Sequence, residues 1–143
     1  MGRGRPRKSG GSSGRIAGGV PACPKFLSDV ARKKWRDLTK QLKQTGLLSH
    51  VDVDTIARYC AAYATWFKAN DMVQKAGEIY LGPNKGLVQN PWLSVRKAAS
   101  AEMQKISPQL GLDPLSRRHL EIEAAAQAAD DKARFFGKRE GQK

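Results

Sequence analysis

The strongest constraint on the fold of this chain is a set of three long segments without glycine or proline. They cover residues 29–44, 53–75 and 92–106 and consist mainly of good helix formers. Because a glycine or proline inside a helix costs about 1 to 3 kcal/mol, runs of this length favour helices. A fourth, alanine-rich run over residues 115–136 is helical by propensity, although its apolar periodicity is weak after residue 124. The sequence therefore predicts a mainly α fold of about four helices.

Residues that cap helix ends mark the boundaries of these runs. Ser28 precedes the first run as an N-cap, and Gly46 follows it where a C-terminal glycine belongs. Capping pairs precede the later runs: Ser49 with Asp52, Asn90 with Pro91, and Asp113 with Pro114. Each helix therefore has a start signal in the sequence.

Residues 78–90 interrupt the helical pattern. Two short, largely apolar segments, 78–81 and 86–89, flank the turn-forming sequence at 82–85. This arrangement predicts a short β-hairpin with a four-residue turn, and a plain connecting loop is the alternative.

The first helix has two distinct faces at about 100° per residue. Its apolar residues form one narrow stripe, made of Ala31, Trp35, Leu38 and Leu42. Its basic residues lie roughly opposite: Lys33, Arg36, Lys40 and Lys43. These cations are candidates for phosphate contact, but a charged helix face is more often only solvated. The first two helices form either a helix-turn-helix or a simple antiparallel hairpin.

The net charge of the chain restricts the classes of partner that it can bind. Lys plus Arg is 26 and Asp plus Glu is 13, which gives a net charge of +13 and a pI of about 10.2. Such a charge indicates a polyanionic partner, either nucleic acid or an anionic membrane surface. No segment is apolar for long enough to span a bilayer, and the N-terminus lacks the apolar core of a secretory signal.

The N-terminal segment carries a large share of this charge. Residues 1–20 hold five cations, no acid and seven of the fourteen glycines. They are predicted to be disordered, because they cannot bury enough apolar surface to offset the entropy of ordering. We therefore divide the chain into a basic tail (1–22), a helical core for folding and oligomerisation (23–112) and a C-terminal helix and tail (113–143).

An AT-hook-like motif lies within this tail. The candidate DNA-binding residues are Arg3, Gly4, Arg5, Pro6, Arg7 and Lys8, with Arg15 further along. A glycine lets the backbone enter a narrow A·T minor groove, and flanking arginines follow its negative floor. The alternative is a generic basic tail that binds phosphates by counterion release without groove preference. Both interpretations predict affinity for DNA.

Catalytic and metal-binding patterns are absent from the sequence. His50 and His119 lie far apart, and Cys23 and Cys60 are separated by 37 positions without a Cys-x-x-Cys motif. Asp52 and Asp54 lie at a helix start, where carboxylates act as caps. We therefore expect no enzymatic activity, no metal and no cofactor.

The order of these features resembles the small subunit of bacteriophage DNA-packaging terminases over roughly residues 20–120. The segments that carry the resemblance are 24–28 with Ala31 and Trp35, Gly46 with the two leucines after it, Asn90-Pro91-Trp92, and 110–118. The Leu-Gly-Leu-x-Pro-x-Ser-Arg segment at 110–117 is the best single marker. The chain departs from the family at Asn90, because the family usually has a histidine at the position before Pro91.

The resemblance implies a helical DNA-binding protein that works with a separate motor. Members of the family form rings, here expected to hold roughly eight to ten chains, and bind double-stranded viral DNA at the packaging start site. They deliver it to the large terminase subunit, which carries the ATPase and nuclease, in the cytoplasm of the infected bacterium. The apolar helix faces would then serve oligomerisation, through Tyr59, Tyr63, Trp66, Phe67 and Trp92. The large subunit would bind the C-terminal region, and no membrane partner is expected. An AT-hook-bearing nucleoid or regulatory protein is the alternative.

Overall fold

The computed structural model describes residues 19–48 and 51–137 and contains four α-helices and one β-hairpin. The elements in chain order are α1 (Asp29–Gln44), α2 (Val53–Ala76), β1 (Ile79–Leu81), β2 (Leu87–Gln89), α3 (Trp92–Ile106), a short 3₁₀ helix (Ser107–Leu110) and α4 (Pro114–Gly137). The predicted mainly α fold is confirmed, and so is the hairpin, but its strands are separated by five residues, 82–86, rather than by the predicted four. The two strands are antiparallel, with Ile79 opposite Gln89 and Leu81 opposite Leu87.

The caps around α1 explain where that helix begins and ends. The Ser28 hydroxyl accepts a hydrogen bond from the Ala31 amide at 3.4 Å. At the other end Gly46 has a φ of +73°, and its amide and that of Leu47 donate to carbonyls of the last turn. This paired pattern is a Schellman motif, which satisfies carbonyls that the helix itself leaves unpaired.

The N-cap predicted for α2 is wrong, and the N-cap predicted for α4 is confirmed. The sequence placed the N-cap of α2 at Ser49, but α2 begins at Val53 and Asp52 occupies the N-cap position. The Asp52 carboxylate makes no capping hydrogen bond, contrary to the expectation from the sequence. Ser49 itself lies outside the described residues. Asp113 accepts a hydrogen bond from the Ser116 amide at 2.9 Å, and this bond lowers the pKa of the Asp113 carboxyl. The cap therefore stabilises α4 at and above the ordinary carboxyl pKa and is lost as the pH falls through the lowered folded-state pKa.

The main core lies where α1 packs against α2 and the 3₁₀ helix. Trp35, Leu38 and Leu42 of the apolar stripe are each at most 2% exposed, and Ile56 and Cys60 of α2 are fully buried. Burial raises the pKa of the Cys60 thiol to about 12, so this cysteine stays protonated near neutral pH. It acts as a core residue rather than a nucleophile or ligand.

The C-terminal end of α2, the hairpin and the start of α3 meet at Asn90. Its side-chain Nδ2 donates to the Gly77 carbonyl at 2.8 Å, and its Oδ1 accepts from the Trp92 amide at 3.0 Å. Its backbone amide donates to the Glu78 carbonyl at 2.9 Å. Asn90 is 3% exposed, so these bonds have little competition from water. Asn90, which the sequence predicts as an N-cap, therefore also connects the end of α2 to the start of α3.

Replacing Asn90 with Ala is expected to lower the free energy of unfolding by about 2 to 3 kcal/mol. The change removes an N-cap bond and leaves the Gly77 carbonyl without its side-chain donor. Urea denaturation followed by circular dichroism measures the loss. Asn84→Ala, in the exposed hairpin turn, is the control, and equal losses for the two variants would contradict the proposed connection between α2 and α3.

α4 is joined to the rest of the protein near its beginning. Leu112, just before α4, and Leu120 within it pack against the core, yet no residue of α4 is fully buried. Beyond Leu120 the side chains are almost all exposed. None of the helices within the described part of the chain is long and apolar enough to cross a membrane.

Candidate nucleic-acid interface

The exposed side of α1 presents four cations together. Lys33, Arg36, Lys40 and Lys43 are all exposed, whereas the stripe that includes Trp35 is buried in the core. No ion pair connects these cations to an acid within residues 19–48 and 51–137. They are therefore available to an anionic partner in a way that charges paired within the protein are not.

Two further cations of α1 are held by the protein itself. Arg32 pairs with Asp29 at 3.6 Å and donates to the Lys25 carbonyl at 2.9 Å. The Lys34 ammonium lies 4.7 Å from the centre of the Tyr63 ring, as in a cation–π contact. The helix thus divides its cations into two with a partner in the protein and four without an ion pair in the described residues.

The dimensions of this basic face suit a nucleic-acid backbone. From Lys33 to Lys43 the helix advances about 15 Å, at 1.5 Å per residue. Duplex DNA covers a similar distance with about four base pairs. Asp37 is exposed on the same helix and is the acid nearest in sequence to these cations. The face can therefore hold several phosphates of one DNA segment at once.

The start of α1 lies beside the middle of α2. Leu27 and Ala31 line a shallow groove of about 240 Å³ together with Ala61 and Thr65. Since α1 ends where α2 is about to begin, this pairing is that of two helices packed antiparallel. The geometry favours the antiparallel hairpin over the helix-turn-helix.

The other predicted DNA-binding residues lie outside the described residues. They are Arg3, Gly4, Arg5, Pro6, Arg7, Lys8 and Arg15. Their part in DNA binding stays a prediction.

The aromatic residues predicted to serve oligomerisation lie along α2 and at the start of α3. Tyr63 lies 6.1 Å from Trp66 and 6.4 Å from Phe67 between ring centres, and the Lys68 ammonium lies 5.6 Å from the Trp92 ring. Tyr59 packs against the core, and burial raises the pKa of its hydroxyl. Phe67 is half-exposed, while the other four are partly buried within the protomer. Their role in assembly stays a prediction.

Two exposed apolar surfaces were not singled out by the sequence reasoning. The hairpin exposes five apolar side chains: Ile79, Tyr80, Leu81, Leu87 and Val88. α4 exposes Leu115, Ile122, Phe135 and Phe136. Exposed apolar residues that cluster mark surfaces for partners more often than singly scattered ones do. The sequence held only part of the signal for the α4 surface, because the apolar periodicity is weak after residue 124.

No grouping of three or more His, Cys, Asp or Glu side chains suited to a metal ion occurs in the described ranges.

A sequence model of the phage terminase small subunit matches residues 31–127, which is about two thirds of the chain. The chain belongs to this family. The matched region of this terminase small subunit begins in α1, includes all four exposed cations and ends within α4. No curated protein and no solved structure matches the chain.

Membership gives this terminase small subunit a role in phage DNA packaging. Small subunits of the family are generally non-catalytic and bind DNA, and the family implies viral DNA and a large terminase subunit as partners.

Proposed function

We propose that this terminase small subunit recognises double-stranded viral DNA at the packaging start site and delivers it to the large subunit. The observation that carries the proposal is the exposed, unpaired basic face of α1, formed by Lys33, Arg36, Lys40 and Lys43. The N-terminal tail adds five further cations to each chain. The work takes place in the cytoplasm of the infected bacterium.

The proposed mechanism is positioning by many weak contacts. A single chain with a few phosphate contacts binds DNA weakly and loses affinity steeply as salt rises. A ring of roughly eight to ten chains converts these contacts into avidity, because binding through one chain raises the local DNA concentration for the next. The exposed Phe67 and the aromatic residues around it are candidate contacts between neighbours in this ring.

We propose that the small subunit has no enzymatic activity of its own and that it regulates the large subunit, which is an enzyme. The ATPase and nuclease activities belong to the large subunit, which would bind the C-terminal region, residues 113–143. The structure offers α4 for such a contact, because the helix is exposed beyond Leu120.

Replacing the four cations of the α1 face with Ala is expected to weaken DNA binding without unfolding the protein. Each lost phosphate contact lowers the salt slope of log K by about 0.9, so the four changes together remove up to ~3.6 per chain. Fluorescence anisotropy with labelled duplex DNA at several salt concentrations measures the slope. The side chains are exposed, so the variant should keep the thermal midpoint of the parent.

The matched control removes the same charge elsewhere. Lys75, Lys85, Lys97 and Lys105 are exposed cations on α2, the hairpin turn and α3, and changing them to Ala alters the net charge equally. An equal loss of affinity in both variants would show a general charge effect and contradict a DNA site on α1.

Native mass spectrometry with and without DNA separates this proposal from the AT-hook regulator. The expected result is a ring of many chains in both conditions. A monomer or dimer that binds DNA would support the regulator, whose tail motif works without a ring.

A further inference from the structure

Four of the apolar residues of α4 are spaced seven residues apart. Leu115, Ile122, Ala129 and Phe136 repeat at this interval, and the three large ones are 71%, 60% and 60% exposed. Four residues after the first three of them come His119, Ala126 and Ala133. The two rows alternate as the d and a positions of a heptad, which is the spacing of a coiled-coil seam.

This seam faces away from the protein's own core. Leu120 packs against the core and lies about 140° around the helix from Leu115, at 100° per residue. The side that carries Leu120 is therefore occupied, whereas the seam is left exposed. The seam has no partner within the described part of its own chain.

The charges beside the seam differ in sign on its two flanks. Glu123 and Asp130 lie on the e flank, and Arg118 and Lys132 lie on the g flank. Asp130 also pairs with Arg134 of the same helix at 3.2 Å. In a parallel pair of helices each g residue faces the e residue five positions later in the partner. Arg118 would then face Glu123 of a second copy, and the reverse pair would form as well.

This register gives one charged pair between copies, Arg118 with Glu123, because Lys132 would face Gly137 and Asp130 would face Ala125. That pair favours a second copy in the parallel direction. A second copy of α4 in parallel brings opposite charges together, whereas an antiparallel copy brings the flanks of like charge together. DNA does not suit the seam, because every seam residue except His119 is apolar. Copies related by a rotation axis along their helices run in the same direction, as a parallel pair requires.

We propose that α4 of one chain packs along α4 of a second copy in a parallel coiled-coil contact over residues 115–136. This contact goes beyond the proposed ring, because a seam that meets the same seam of a second copy has twofold symmetry and joins chains two at a time. It does not depend on DNA binding. The contact is up to about 33 Å long, at 1.5 Å per residue. The alanines of the seam let the two helices approach closely.

An acidic residue in the seam should weaken self-association of the full-length chain. Ile122→Glu places a carboxylate where the partner helix would cover it, and burying an unpaired charge is costly. We expect the concentration for half-assembly to rise by more than about tenfold in sedimentation velocity experiments. Ala128→Glu is the control, since Ala128 is exposed on the same helix but lies off the seam. Unchanged assembly in the Ile122→Glu variant, or equal losses in both, would overturn the proposal.

Charge exchange tests the direction of the pair. Arg118→Glu and Glu123→Arg should each weaken association, and the double variant should restore it, because the two positions face each other between copies. Cysteine cross-linking in a Cys23→Ser background supplies an independent measure. I122C should form a disulfide between two copies, whereas F135C should not. Failure of the double exchange to restore association, together with no cross-link at position 122, would overturn the parallel pair.

Two readouts distinguish failure of this proposal from failure of the proposed function. If Ile122→Glu leaves assembly unchanged but reduces capture by the purified large subunit, the seam binds the large subunit and the self-pairing is wrong. If the variant still binds DNA with the parent salt slope while its assembly weakens, the pairing is supported independently of the DNA site.

Discussion

Deletion of residues 1–20 is expected to cause the largest loss of DNA affinity of any single change to this protein. The segment carries five cations and no acid, and each cation that neutralises a phosphate contributes about 0.9 to the salt slope. The slope should therefore fall by up to ~4.5 per chain, and affinity at physiological salt by at least about a hundredfold. Anisotropy titrations over a range of salt concentrations measure both. An unchanged slope would show that the tail plays no part in DNA binding.

A second tail variant separates groove insertion from general attraction. Changing Gly4 and Pro6 to Ala keeps all five charges but removes the residues that let the backbone enter a narrow minor groove. If the segment acts as an AT-hook, this variant should lose its preference for A·T-rich duplexes over G·C-rich ones. If the tail binds phosphates generally, the variant should match the parent on both duplexes.

Replacing Gly111 with Ala is expected to destabilise the protein by about 2 to 5 kcal/mol. Gly111 has a φ of +61° at the end of the 3₁₀ helix, where an alanine costs about 1 to 2 kcal/mol. A Cβ atom here would also lie 2.8 Å from Cδ1 of Leu47 and 3.0 Å from Cδ1 of Leu120. Crowding of that kind adds about 1 to 3 kcal/mol. The thermal midpoint, followed by circular dichroism, measures the change.

Gly46 supplies the matched control for this prediction. It has a similar φ of +73°, but no atom lies within 4 Å of the position of an added Cβ. Gly46→Ala should therefore show the backbone cost alone. The difference between the two variants reports the contact that holds α4 against the core, and equal losses would contradict that contact.

Gly111 also links the fold to the proposed coiled coil. Because Leu120 lies against it, the start of α4 is fixed in direction relative to α1 and α2. A variant that loosens this contact should weaken self-association as well as stability, whereas Gly46→Ala should change stability alone.

Much of the architecture could be predicted from local signals. The range of α1 agrees with its Gly-free and Pro-free run, and its Ser28 cap and Gly46 terminator are both present. The start of α2 could not be predicted as well, because two aspartates and a serine within six residues all suit a cap. Asp52 holds that position, and the choice depends on how the linker packs against the core.

The division of charge on α1 shows what the sequence could and could not say about the site. Helical periodicity alone separated Lys33, Arg36, Lys40 and Lys43 from the apolar stripe. It did not show that Arg32 and Lys34 are held by Asp29 and Tyr63. Tyr63 is 29 positions away in the chain, and only the packing of α2 brings it to α1.

The sequence by itself determined the helices, the hairpin, the basic face and the family resemblance, because caps, periodicity and charge act over a few residues. The tertiary structure decided which surfaces stay exposed. Asn90 became a buried tie between helices, and Gly111 became a point of close contact. The seam of α4 became available since Leu120 fixes the opposite side of that helix to the core. Such outcomes depend on contacts between residues distant in sequence, which no local pattern contains.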